Sequence, residues 1–150
     1  MKVRPSALIW RSTQLATDVL LMHYRYGGHD VFALPGGNPD RNETLPQTVT
    51  RELQEELGVT ADVGTMVLAG EMLLSQRNDD VLHVVFAASN LQGEPVLNPA
   101  ETSAIDLVWK PLDELDRLNL YPNVGLHIQR WFNSAIDLGY VGRIEQAYFD

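Results

Sequence analysis

Apolar residues recur every four positions at Leu45, Val49, Leu53 and Leu57, which marks one stripe of an amphipathic helix. Thr44 with Gln47 three residues on makes a reciprocal capping box, and Pro46 falls in the first turn, where a missing N–H does no harm. Gly58 suits the left-handed position that ends many helices. The pattern therefore predicts a helix over 45–57. Elsewhere the apolar positions alternate or run together in short blocks, as strands do. Strands are predicted over 3–11, 19–24, 31–34, 60–69 with an extended continuation over 71–75, 81–88 and 105–110. Residues 26–30 and 76–80 carry turn chemistry, and 91–102, with Gly93, Pro95 and Pro99, reads as an irregular loop. A short helix is predicted over 111–118 and a longer amphipathic one over 124–138, ended by Gly139, with a strand or tail over 140–150. The strands of 60–75 and 81–88 are expected to pair, as sequential strands usually do. One helix ahead of the middle strands and helices at the end predict an α/β fold: a mixed sheet with helices on both faces.

Composition narrows the class. A chain of 150 residues is long enough for one domain with one core, and neither repeat nor linker breaks it. The absence of cysteine excludes disulfides, thiol catalysis and cysteine zinc sites, and suits a reducing, cytoplasmic setting. No apolar run approaches the ~20 residues of a membrane helix, and the start of the chain does not read as a signal peptide. A formal charge of −9 argues against a nucleic-acid polymer as partner, because no basic field meets the phosphate backbone. A small phosphorylated substrate is allowed where metal ions offset its charge locally.

The helix over 45–57 carries the chemistry. Glu52, Glu55 and Glu56 stand at i, i+3 and i+4 and share a face near its C-terminus. Both like-charge repulsion and the helix dipole oppose that placement, so a sequence chosen for stability alone avoids it. Two readings are open on the triplet by itself: a solvated acidic face, or a site where a hard divalent cation such as Mg²⁺ reverses the sign of the repulsion. Arg51 reaches Glu55 one turn on or folds back to Glu43. Pro35-Gly36-Gly37 leads into this region, and its double glycine permits positive φ and a close approach of backbone to a ligand.

The spacing of Gly37, Glu43, Arg51, Glu52, Leu53, Glu55, Glu56, Gly58 and Val59 fits G-x5-E-x7-R-E-U-x-E-E-x-G-U, with U apolar. A chance match of the fixed identities is on the order of one in a million. This stretch resembles the signature of the Nudix hydrolases, without departure. The resemblance implies an α/β/α sandwich and metal-dependent hydrolysis of a pyrophosphate bond in a nucleoside diphosphate linked to another group, with Mg²⁺ or Mn²⁺ as cofactor. Glu52, Glu55 and Glu56, with the carbonyl of Gly36, are then the metal ligands, and Glu43 and Arg51 orient them. Family members differ in where the base lies, so Glu52 and a loop glutamate, Glu101, both stand as candidates. A non-catalytic Nudix-fold module that binds a nucleotide or metabolite is the alternative.

The remaining candidates are weaker. Arg11, Arg25 and Arg77 are able to meet phosphates in pairs of hydrogen bonds, with Arg25 and Arg77 taken as substrate-binding. Glu71 is a further acidic candidate, Tyr24, Tyr26, Trp10 and Trp109 are aromatic ones, and His23, His83 and His127 lack metal-ligand spacing. The substrate is left open among nucleoside triphosphates, ADP-ribose, nucleotide sugars and dinucleoside polyphosphates, with an ADP-ribose-like compound preferred by resemblance. A homodimer is one expectation for the assembly.

Overall fold

The computed structural model describes residues 1–74 and 79–147. Its strands are β1 (Lys2–Ser12), β2 (Thr17–Tyr26), β3 (His29–Ala33), β4 (Thr60–Met72), β5 (Val81–Gln92), β6 (Asp106–Pro111), β7 (Leu120–Tyr121) and β8 (Gly139–Arg143). Helix α1 spans Leu45–Leu57 and α2 Gly125–Ser134, with a 3-10 turn at Leu112–Arg117. The sheet runs β7-β3-β2-β1-β5-β4-β8, with β6 paired to β2. Pairing is mixed. β1 lies parallel to β5, β4 to β8 and β3 to β7, while β1–β2, β2–β3, β2–β6 and β4–β5 are antiparallel.

Strand alternation explains the layers. Ala7, Ile9, Leu20 and Met22 pack against Val49, Leu53 and Leu57 of α1. Their neighbours Leu8, Val19 and Leu21 point the other way, onto Leu115 of the 3-10 turn, Val124 at the N-cap of α2 and Ile128 within it. Strands covered on both faces read as continuous apolar runs, which is why 19–24 shows no alternation of polarity. The result is the expected α/β fold with helices on both faces.

The capping signals of α1 hold to the residue. Thr44 Oγ1 accepts from Gln47 N at 3.3 Å, and Thr44 N donates to Gln47 Oε1 at 2.9 Å. Gly58 closes the helix at φ 66°, its N–H directed to the Gln54 carbonyl.

Other expectations shift. The helix predicted to reach residue 138 ends at Ser134, because Ala135 turns left-handed and Leu138 N donates to Val67 O at 2.8 Å, adding the chain to the β4 edge. The segment predicted as a short helix is a 3-10 turn, and β7 has only two residues, too few for any periodic signal. Strand β4 continues through Gly70 instead of pausing there. Most of the loop expected over 76–80 lies outside the described residues.

Candidate active site

Three segments meet at the site: the turn after β3, helix α1, and the loop between β5 and β6. Gly36 bridges to Ser6 of β1, with Ala7 N donating to Pro35 O at 2.8 Å and Gly37 N to Pro5 O at 3.2 Å. Neither glycine adopts positive φ, which corrects the conformational half of the sequence expectation. Close approach is the operative reason. A Cβ on Gly36 would overlap the Pro5 carbonyl and lie 2.8 Å from Ser6 Cα, and one on Gly37 would overlap the Glu52 carboxylate. The turn is thus pressed between β1 and the first acidic residue of the triplet.

Arg51 organises the acidic side chains. Its Nε donates to Glu43 Oε2 at 2.8 Å and its Nη2 to Glu43 Oε1 at 3.0 Å. Nη2 also donates to Asn38 O at 2.9 Å, while Nη1 donates to Glu52 Oε1 at 3.0 Å and Glu55 Oε2 at 3.1 Å. These contacts occupy all five N–H donors of the guanidinium. Glu43 also accepts from Thr48 Oγ1 at 2.6 Å and Asp40 N at 3.1 Å. The Arg51 and Thr48 hydrogen bonds hold its carboxyl down at about 2. Glu43 is therefore a fixed anion that anchors Arg51, and Arg51 in turn steers Glu52 and Glu55.

Glu56 is different. Burial, together with a hydrogen bond and charge repulsion from Glu52, pushes it up to about 8, while Arg4 pulls it the other way. Carboxylates crowded together repel one another and form a place where a cation is favoured. The donor set is all oxygen, as Mg²⁺ and Mn²⁺ prefer. Among the described residues no three acidic or histidine side chains already converge as a cation shell, because Glu52 and Glu55 are both turned toward Arg51 Nη1. The Gly36 carbonyl lies close by and accepts from Arg4 Nη2 at 3.4 Å. The residues fit a divalent ion by chemistry, although Glu52 and Glu55 are held on Arg51 in this arrangement.

A cavity of about 490 Å³ opens beside Glu56. Arg4, Glu101 and Thr102 line it together with Tyr24, Tyr26 and Tyr121. The loop bearing Glu101 is sewn to the end of α1: Val96 N donates to Leu57 O at 3.0 Å, Asn98 N to Glu56 O at 2.9 Å and Asn98 Nδ2 to Glu55 O at 3.3 Å. These bonds satisfy carbonyls that a helix end leaves unpaired. They also fix Glu101 relative to Glu56, since Glu101 N donates to Asn98 O at 3.0 Å.

The structure brings Gly36, Glu43, Arg51, Glu52, Glu55 and Glu56 together and places Glu101 on the same cavity as Glu56. Other candidates go elsewhere. Arg25 pairs with Asp30 at 3.0 Å on the β2–β3 hairpin and is not on the cavity wall, and Arg77 lies outside the described residues. Arg11 lies over the Trp109 ring at 4.4 Å, and Glu71 accepts from the Tyr140 hydroxyl. Trp10 packs edge-on against Trp131 and Phe132. His23 bonds Asp30 at 2.8 Å, and His83 is fully buried near the sulfur of Met72. Sequence reasoning missed Arg4 and Tyr121. The one available signal for Arg4 was a charge close to the apolar run Ala7 to Trp10 of the same strand; a two-residue strand gave none for Tyr121.

The NUDIX domain family model matches residues 2–132. Against curated proteins nothing matches. Among solved structures the chain is similar to the E. coli ORF135 protein at 22% identity and TM-score 0.73, covering 92% of this chain and 94% of that one. It is similar to a MutT NUDIX hydrolase from Burkholderia pseudomallei at 27% identity and TM-score 0.63, covering 75% and 84%. A third similar structure is an ADP-ribose pyrophosphatase from Streptococcus suis, at 20% identity and TM-score 0.63, covering 96% and 98%. With the acidic cluster on α1 and a family match along most of its length, the chain belongs to the Nudix family of hydrolases.

Proposed function

We propose that this protein is a divalent-metal-dependent hydrolase that cleaves the pyrophosphate bond of a nucleoside diphosphate linked to a second group. The observation that carries this reading is the acidic cluster of α1, with Glu52 and Glu55 held on Arg51 and Glu56 lining the cavity that also contains Arg4 and Glu101. In the reaction a P–O bond forms to water and the anhydride P–O bond breaks, giving a nucleoside monophosphate and the phosphorylated second group. Bound Mg²⁺ or Mn²⁺ supplies charge neutralisation for the phosphate oxygens and acidifies water. Glu52, Glu55 and Glu56 would hold that ion, together with the Gly36 carbonyl. Arg51, anchored on Glu43, sets the angle of Glu52 and Glu55. Arg4 faces the same space with an unpartnered, buried Nη1, a donor suited to a phosphoryl oxygen.

The water's proton goes to a carboxylate, for which Glu52 and Glu101 are the candidates. Separate Glu52→Gln and Glu101→Gln variants distinguish them. The base variant loses about 10²–10⁴-fold in kcat and the acidic limb of its pH–rate profile. ADP-ribose is the preferred substrate, supported by the similar pyrophosphatase from Streptococcus suis. The test is a screen of nucleotides and nucleotide conjugates with and without Mg²⁺ or Mn²⁺, with products identified. Binding without turnover on every compound overturns the hydrolase reading in favour of a nucleotide-binding module.

A further inference from the structure

We propose that Tyr121 is a positioning residue for the diphosphate: its ring is the seat from which the Arg4 guanidinium meets phosphoryl oxygens, and Gln146 clamps that seat. This rests on the proposed hydrolysis, in which Arg4 donates to the substrate's phosphate.

The two arginines of the site are held in opposite ways. Arg51 commits every donor to protein oxygens. Arg4 Nη2 donates to Gly36 O at 3.4 Å, near the outer limit for such a bond, and Nη1 is buried with no acceptor among the described residues. A buried donor in that state costs stability until an acceptor reaches it. What fixes the guanidinium is the Tyr121 ring, with Arg4 Cζ over it at 5.2 Å from the centroid. An aromatic face attracts a cation through its quadrupole, without a carboxylate that would occupy the donors. Charge and donor are thus kept for a ligand. Arg4 and Tyr121 both line the cavity that Glu56 lines, so the seated charge stands on the same space as the acidic helix.

The ring is braced from three directions. His83, in register with Arg4 across β1 and β5, lies perpendicular to the Tyr121 ring with centroids 5.1 Å apart. It is fully buried, and burial together with the Arg4 charge keeps it neutral, so it supports the ring without repelling the cation. β3 holds the backbone, with Leu34 N donating to Tyr121 O at 3.0 Å. The third brace is Gln146. Its Nε2 donates to Leu120 O at 3.0 Å and its Oε1 accepts from Asn123 N at 2.8 Å, so one side chain bridges the residues on either side of Tyr121 and Pro122. Asn123 Nδ2 returns a bond to Glu145 O at 2.8 Å, and Ile144 is buried with its N–H on Glu71 O at 2.8 Å.

The probe is inorganic pyrophosphate, which has neither base nor sugar, titrated calorimetrically with Mg²⁺ present into the parent protein and its variants. Arg4→Gln is expected to weaken its binding about 10- to 100-fold. Tyr121→Leu is expected to weaken it about 10-fold, and Tyr121→Phe, which keeps the ring face, by no more than about 2-fold. Gln146→Ala is expected to weaken it about 3-fold. In an Arg4→Gln background, Tyr121→Leu and Gln146→Ala are expected to cost nothing further, a non-additivity that a merely structural role does not produce. If Tyr121→Leu fails to fold, Gln146→Ala in the two backgrounds carries the same test. Equal pyrophosphate affinity in the parent and Arg4→Gln, or a Tyr121→Leu or Gln146→Ala loss that persists without Arg4, overturns the seat and leaves hydrolysis standing. Pyrophosphate affinity that follows Arg4 and the ring, with no turnover of any nucleotide compound, overturns hydrolysis and leaves the seat standing.

Discussion

Arg51 has no donor to spare. Lysine keeps the charge but offers one nitrogen where the guanidinium uses three, so it cannot hold Glu43 in two places while steering Glu52 and Glu55. Arg51→Lys is expected to weaken metal activation or kcat by about 10–100-fold, as loss of a residue that orients metal ligands does, with the far-ultraviolet spectrum unchanged. A titration of activity with Mg²⁺ reads it directly. His83 gives a residue-scale prediction away from the site. Burial, with Arg4 adding to it, holds the imidazole down at about 3, against an ordinary value near 6.5. Below pH 6.5 the unfolded chain therefore takes up a proton that the folded one refuses. Stability is whole above that pH and falls as pH drops toward 3. His83→Gln is expected to flatten the melting temperature measured between pH 7.5 and 4, relative to the parent protein.

At the scale of elements, α1 was readable because its limits are local chemistry: a capping box at Thr44 and Gln47 and a left-handed Gly58. Thr44→Ala is expected to cost ~1 kcal/mol, seen as a lower urea midpoint with unchanged slope. The end of α2 was not readable because it is set from outside. Ile136 and Leu138 continue an apolar pattern, yet β4 claims the chain at Leu138. The loop from β5 to β6 was equally closed to inspection, since its order comes from carbonyls at the end of α1. Asn98→Ala removes the side-chain bonds to Glu55 O and from Ala100 N and is expected to cost ~0.5–1.5 kcal/mol in each lost bond. Because Asn98 ties Glu101 to the acidic helix, the same variant is expected to lower activity more than Thr44→Ala at matched stability.

For the molecule as a whole, the α/β class and the acidic cluster were legible in one linear stretch. Gly37 to Val59 carries the whole constellation within a turn and a helix. The cavity beside Glu56 was not legible, because Arg4, Tyr24, Tyr26 and Tyr121 come from three strands and meet only through the sheet order β7-β3-β2-β1. Arg25 and Arg77 were chosen from sequence by chemistry alone; Arg25 pairs with Asp30 away from the cavity wall, Arg77 lies outside the described residues, and Arg4 lines the cavity. A nucleotide and Mg²⁺ supplied together at about 100 times their dissociation constant are expected to raise stability by ~2.7 kcal/mol, more than either alone, measured by thermal denaturation.

Strand β1 divides its loyalty: residues 2–9 run beside β5 and residues 10–12 beside β2. It is the hinge pin between two half-sheets, and its longer contact joins Lys2 to Val81 across more than half the chain. A ribosome releases this strand well before its chief partner, so the nascent chain carries an apolar segment that waits unpaired. Chaperone capture during synthesis should therefore cease only once β5 has emerged, and a Pro5-to-Ile9 segment made too sticky would jeopardise yield before it touched catalysis.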